Sequence, residues 1–299
     1  MKDGPEQAEA QPPAASPGRH LGLDALLPPE IAARAEEIGA RKTRLDPLTL
    51  LVLAVLAGAF IALGSMFATT VLAGSQGHVP FGIARAAAGL VFSLGLILVV
   101  VGGAELFTGN TLMVMAWASR KVRLVEMLRA WAVVYVGNFI GAIGTALLVL
   151  LAGQYLLDNG SAGGVALGLA AAKTALPFWR AFFLGVLCNV LVCLAVWLAL
   201  SGRSTSDRIL AIIFPVAAFV AAGFEHSVAN MYMIPLGLFI KAWAPAAFWT
   251  AIGRSPDDYA GLTWMGLIDN LVPVTLGNVI GGGVLVGAVY WFVYLRRRR

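Results

Sequence analysis

The chain has 299 residues, of which 59% are hydrophobic and only 12% charged, and its mean hydropathy is +0.83. A soluble chain carries roughly 25% charged residues, so this composition excludes an ordinary soluble globule and puts lipid against the surface. The formal net charge of +5 does not argue for a nucleic-acid partner, because the basic residues sit in short clusters between apolar runs.

Residues 1–20, MKDGPEQAEAQPPAASPGRH, are rich in Pro, Ala and charge and lack an apolar core. They read as a disordered cytoplasmic tail, neither signal peptide nor span. Residues 21–46 come next. Leu21–Ala40 has helical spacing, with Pro28 and Pro29 ahead of the helix and Glu30, Glu36 and Glu37 on its wet side. The expectation is an amphipathic helix lying at the membrane interface, or an ordinary solvated helix.

Residues 47–295 form a transmembrane domain, with apolar stretches at about Leu48–Ala73, Phe81–Ala118, Ala130–Leu151, Phe178–Leu200, Ile209–Trp243 and Leu271–Leu295. Four are near the ~20 residues that cross ~30 Å of hydrocarbon. The second is too long: as one helix it would reach about 57 Å at ~1.5 Å per residue. Its centre, GGAELFTGN, has no Arg or Lys to anchor a wet turn. It is therefore expected to be one crossing of two half-helices, joined by irregular backbone that protein must satisfy. Ile209–Trp243 repeats this around AAGFEHSVAN, between Pro215 and Pro235. Cys188 and Cys193 point different ways from one helix, so they read as packing residues and not as a disulfide.

Six crossings leave both termini on one side. Arg41, Lys42, Arg44, Arg120, Lys121, Arg123, Arg129, Arg203, Arg208 and the tail 296–299 all fall there, which makes it cytoplasmic by the positive-inside rule. The other loops carry Lys173, Arg180, Lys241 and Arg254 against Asp158, Asp257, Asp258 and Asp269.

The halves are related. Gly103, Glu105, Asn110 and Met113 match Gly223, Glu225, Asn230 and Met233 at one constant offset, and Gly137-Asn138-Phe139-Ile140-Gly141 matches Gly277-Asn278-Val279-Ile280-Gly281 at a second. Three crossings per half make the repeat inverted, so the fold expected is all-α with six transmembrane helices, the second and fifth broken. In such folds half-helix N-termini present N–H groups and positive partial charge to an anion near the midplane.

His226 is the histidine that falls inside a span, beside Glu225, where an ionisable group in hydrocarbon is a functional candidate. Glu105 and Glu225 would repel an anion and are assigned to the loop scaffold with Asn110 and Asn230, accepting from loose backbone N–H groups of the breaks. Thr108 is either a gate contacting His226 or a simple cap. Lys173 is either a solvated loop lysine or a positive field at the outer mouth. Asn138, Asn189 and Asn278 read as interhelical hydrogen-bond partners. No motif calls for a metal or cofactor, and HExxH and GxSxG are absent.

The stretches GGAELFTGNTLMVMAWASRKV, CNVLVCLAVWLALSGRS, GFEHSVANMYMIPLG and DNLVPVTLGNVIGGGVLVGAVYW resemble the formate/nitrite transporter family, most closely its formate channels, over about Leu21 to Leu295. The resemblance implies an aquaporin-like fold and a homopentamer with one pore per protomer. It also implies His226 as the central histidine, Thr108 as its partner, Phe92, Leu96 and Phe219 as apolar constrictions, Asn189 as a polar pore contact and Lys173 as a charge acting on the site.

The expected activity is passage of formate, a small weak-acid anion, with His226 exchanging a proton with it, and no enzyme chemistry. Nitrite, acetate, lactate and hydrosulfide are the alternatives. From another class, a membrane anchor subunit of a respiratory complex commonly holds haem between paired histidines, and here only one lies within a span.

Overall fold

The computed structural model describes residues 25–75 and 77–297. The expected tail, the start of the expected interfacial helix and the last two arginines lie outside them. The described chain is helical: α1 (Pro28–Lys42), α2 (Pro47–Leu72), α3 (Phe81–Gly102), α4 (Phe107–Asn110) running through a tight turn into α5 (Val114–Ala118), α6 (Leu124–Leu151), α7 (Ser161–Thr174), α8 (Phe178–Ser201), α9 (Thr205–Ala221), α10 (Ser227–Trp243), α11 (Ala246–Ile252), α12 (Trp264–Val279) and α13 (Val289–Tyr294). A π-helical stretch, Ile280–Ala288, joins the last two.

The two interrupted crossings stand as expected: α3 with α4–α5, and α9 with α10. Other boundaries differ. Pro28 and Pro29 lie inside the first turn of α1, where a missing N–H is harmless. Pro215 and Pro235 lie within α9 and α10. Helix α6 starts at Leu124 and α12 at Trp264, because Glu126, Arg129, Asp269 and Asn270 interrupt the apolar run without interrupting the helix. The segment read as a loop around Lys173 is α7, rich in Ala and Gly.

Helix α7 completes the repeat. Like α1 in the first half, it carries a lysine in its last turn just ahead of the half's first long span: Lys42 precedes α2 and Lys173 precedes α8. The apolar side of α1 (Ile31, Ala32, Ala35) is buried against Met115, Trp197 and Leu295. Helix α7 packs on α10.

The halves meet on a two-fold axis that two contacts locate. Ser93 donates to the Ile213 carbonyl at 3.3 Å, and the Tyr135 hydroxyl lies 2.9 Å from Thr275 Oγ1. Ser93 and Ile213 are corresponding positions, as are Tyr135 and Thr275, and corresponding residues touch only beside the axis that relates them.

Within each half the first and third spans approach closely at glycine, as helices in lipid do. A Cβ on Gly141 would overlap the Val55 carbonyl, and one on Gly281 the Val186 carbonyl, the same contact twice. The large apolar residues left exposed on α2, α6, α8 and α12, such as Leu148, Phe183 and Val272, need an apolar medium around them.

Candidate functional site

Each break is built the same way. Helix α3 is followed by Gly103 (φ 82°) and α9 by Gly223 (φ 73°), a left-handed conformation that only glycine adopts freely. An asparagine from the third span then satisfies the irregular backbone. Asn138 accepts from Phe107 N–H (2.9 Å) and donates to the Glu105 carbonyl (2.9 Å) and the Ala54 carbonyl (2.8 Å). Asn278 accepts from Ser227 N–H (3.0 Å) and donates to the Glu225 (3.0 Å) and Gly185 (2.8 Å) carbonyls. These amides are the interhelical partners expected.

The carboxylates do something other than expected. Glu105 pairs with Lys42 Nζ at 2.9 Å and accepts from Asn110 Nδ2 at 2.8 Å. Glu225 pairs with Lys173 Nζ at 2.7 Å and accepts from Asn230 Nδ2 at 2.7 Å. They take lysine and amide protons, not backbone ones, because Asn138 and Asn278 already hold the backbone. Lys173 is thus not a solvated loop residue but the ion-pair partner of Glu225. Its side chain is 13% exposed, and its carbonyl accepts from Asn270 Nδ2 at 2.9 Å.

Where the breaks meet, the symmetry fails. His226 caps α10, its Nδ1 accepting from Ala229 N–H at 3.0 Å, and its Nε2 lies 2.9 Å from Thr108 Oγ1. An Nδ1 that accepts carries no proton, so this geometry assigns the neutral ring with the proton on Nε2, donated to Thr108. Thr108 is therefore a partner of His226 and not a cap. Phe219 stacks on the imidazole (centroids 6.0 Å apart, 19° between planes), and Phe92 meets Phe219 edge-on at 5.6 Å.

A cavity of about 220 Å³ opens on this cluster, and His226, Phe92, Phe219, Lys173, Glu225, Asn230, Arg85 and Arg180 are among its walls. It shares Leu72, Arg85 and Leu169 with a larger recess of about 1130 Å³. Three cations against one carboxylate give the entrance a positive field. The N-termini of α4 and α10 add partial positive charge at the breaks.

Leu96, Thr108 and Asn189 are buried and are not among the residues lining that cavity. Asn189 is a brace: its Nδ2 reaches the Thr108 carbonyl and Thr111 Oγ1, both at 3.2 Å, and the Asn278 carbonyl at 2.6 Å. Cys193 lies 3.3 Å from Thr111 Oγ1, and both cysteines are free and buried.

Sequence reasoning missed Arg85, whose guanidinium holds the Val220 and Ala221 carbonyls at the end of α9. It also missed Lys42 as the counterpart of Lys173. The signal was there, since the two lysines stand at equal spacing ahead of Ala54 and Gly185, the carbonyl partners of Asn138 and Asn278.

The formate/nitrite transporter family model matches residues 29–292. The chain is 48% identical over 275 residues to the formate channel FocA of Escherichia coli strain K12, covering 92% of this chain and 96% of that one. It is 41% identical over 274 residues to formate channel FocA of Haemophilus influenzae, covering 91% and 96%. A solved structure, a pentameric formate channel with formate bound, superposes with a TM-score of 0.80 at 44% identity, over 84% of this chain and 98% of that one. The chain belongs to the formate/nitrite transporter family.

Proposed function

We propose that the chain carries formate across a cytoplasmic membrane through a pathway inside each protomer of a homopentamer, with both termini in the cytoplasm. One observation carries the reading furthest: near full-length likeness to formate channels, with the His226–Thr108 contact at the meeting of two helix breaks. The basic loops support the orientation.

The physical task is dehydration. Bringing a carboxylate into a dry apolar passage costs several kcal/mol or more, and the neutral acid loses far less. Arg85, Lys173 and Arg180 gather the anion on one side, and His226 exchanges a proton with it beside Thr108. At rest the ring is neutral. A second proton, drawn from solvent on the entrance side and taken at Nδ1, releases the Ala229 cap, and the Nε2 proton then passes to the carboxylate. This leaves neutral formic acid and a neutral ring protonated on Nδ1, which returns that proton to solvent and regains one on Nε2 before the cap re-forms. Imidazolium is the weaker acid in water, so the transfer needs the desolvation that penalises the anion. The neutral acid then passes Phe92, Leu96 and Phe219.

Formate flux into proteoliposomes across pH, for the unaltered chain and His226→Ala, tests this. The variant is expected to lose the pH dependence; if it keeps it, His226 is not the proton partner. Nitrite, acetate, lactate and hydrosulfide in the same assay rank the substrates, and any of them outrunning formate overturns the substrate.

A further inference from the structure

On the face that carries α1, away from the His226 cavity, Arg44, Lys121, Arg123 and Arg129 line a cleft of about 540 Å³. They come from three segments: the turn after α1, the turn before α6, and α6 itself. Among the described lining residues Glu126 is the sole acid, and it is held by Arg123 at 2.8 Å. Lys121 is paired with Glu36 of α1. Among the described residues no salt bridge joins Arg44 or Arg129 to a carboxylate. Arg129 gives one N–H to the Thr43 carbonyl at 3.2 Å, and both arginines are exposed. Two guanidinium groups thus stand without a salt-bridge partner in one concave site, Arg129 sharing only the field of the Glu126 that Arg123 holds, a geometry suited to phosphate oxygens.

Val125 lines that cleft, and the neighbouring surface of α6 is apolar. Val125 is 75% exposed, Leu128 47% and Leu124 45%, all in the first turns of α6. Helix α6 has 28 residues, about 42 Å at ~1.5 Å per residue, against ~30 Å of hydrocarbon, and its charged residues, Glu126 and Arg129, lie in its first turns, which therefore belong at headgroup level. Cationic clefts beside apolar helix starts at this depth take lipid headgroups.

We infer that this cleft binds the phosphate of an anionic phospholipid, whose chains lie along Leu124, Val125 and Leu128. The inference rests on α6 spanning the membrane but not on the identity of the transported anion. A soluble phosphate would use the same arginines and gain nothing from that apolar surface.

Native mass spectrometry of the full chain, with phosphatidylglycerol or phosphatidylcholine added, tests it. The unaltered protein should retain phosphatidylglycerol preferentially, and Arg44→Gln with Arg129→Gln should weaken that retention roughly tenfold to thirtyfold. The double variant should keep its melting temperature in phosphatidylcholine and its formate flux. Val125→Ser should weaken lipid retention and leave inorganic phosphate binding unchanged. No preference for the anionic lipid, a preference that survives the double substitution, or complete displacement of the lipid by millimolar inorganic phosphate would each overturn the inference.

Discussion

His226 Nε2 meets Thr108 Oγ1 at 2.9 Å, yet the two are not corresponding residues: Leu106 stands where the first half would carry the histidine, and Val228 where the second would carry the threonine. Each half gives one polar group and one apolar one, so a symmetric scaffold holds an asymmetric centre. Thr108→Val copies the other half. It leaves the Nε2 proton without its acceptor, a cost of roughly 1–3 kcal/mol for a buried donor. Formate flux should fall about tenfold or more in Thr108→Val and stay near the original in Thr108→Ser; equal flux in both would remove the hydroxyl from the pathway.

His226 also caps α10, so its loss has two effects that substitution separates. Asn caps a helix well, whereas Ala forgoes about 1 kcal/mol. His226→Asn should therefore melt close to the unaltered protein and His226→Ala a few degrees lower, while both lose pH-dependent flux. Thermal unfolding in detergent beside a pH series of uptake distinguishes cap from proton exchange.

Lys173 and Glu225 form a buried pair at 2.7 Å. Removing one member strands the other, at roughly 3–5 kcal/mol, and removing both restores part of that. Lys173→Met and Glu225→Gln should each lower the melting temperature markedly, and the double variant should lie above the sum of the two losses. Strict additivity would mean that the two side chains do not depend on each other.

Gly141 and Gly281 let α6 and the π-helical stretch approach the carbonyls of Val55 and Val186. Alanine at either site forces the helices apart, an overpacking cost of about 1–3 kcal/mol. The two variants should be destabilised to a similar degree because the contact is the same, which denaturation of each single variant measures.

Asp46 caps α2, accepting from Leu48 and Thr49 N–H at 3.1 and 3.0 Å. The Thr49 side chain first, and then its backbone N–H, hold this carboxyl below its ordinary range. A folded-state value below the unfolded one contributes stability above the unfolded value, and that contribution is lost as pH falls through the folded one. Asp46→Asn keeps the cap without the titration, so its stability should change less between neutral and acidic pH.

Hydropathy located the spans and both interruptions, and residue type located His226, Glu105, Glu225, Asn138 and Asn278, because an ionisable or amide group in an apolar run stands out locally. Helix α7 did not stand out. SAGGVALGLAAAKT has no contrasting polar face, and what makes it a helix against α10 is close approach, with Ala170 near Gly237. The partners of the carboxylates were equally hidden: the residues between Lys173 and Glu225 include a whole span.

Read along the chain, transfer free energies add residue by residue, so a string of letters was enough to establish a six-crossing inverted repeat with two broken helices and a histidine in one break. Which lysine neutralises which carboxylate, and which backbone groups Asn189 braces, depend on side chains sharing space after the halves close around their axis. Hydrogen bonds and ion pairs act over about 3 Å, and no spacing in sequence reports a distance of that kind between segments that meet only in the folded protein.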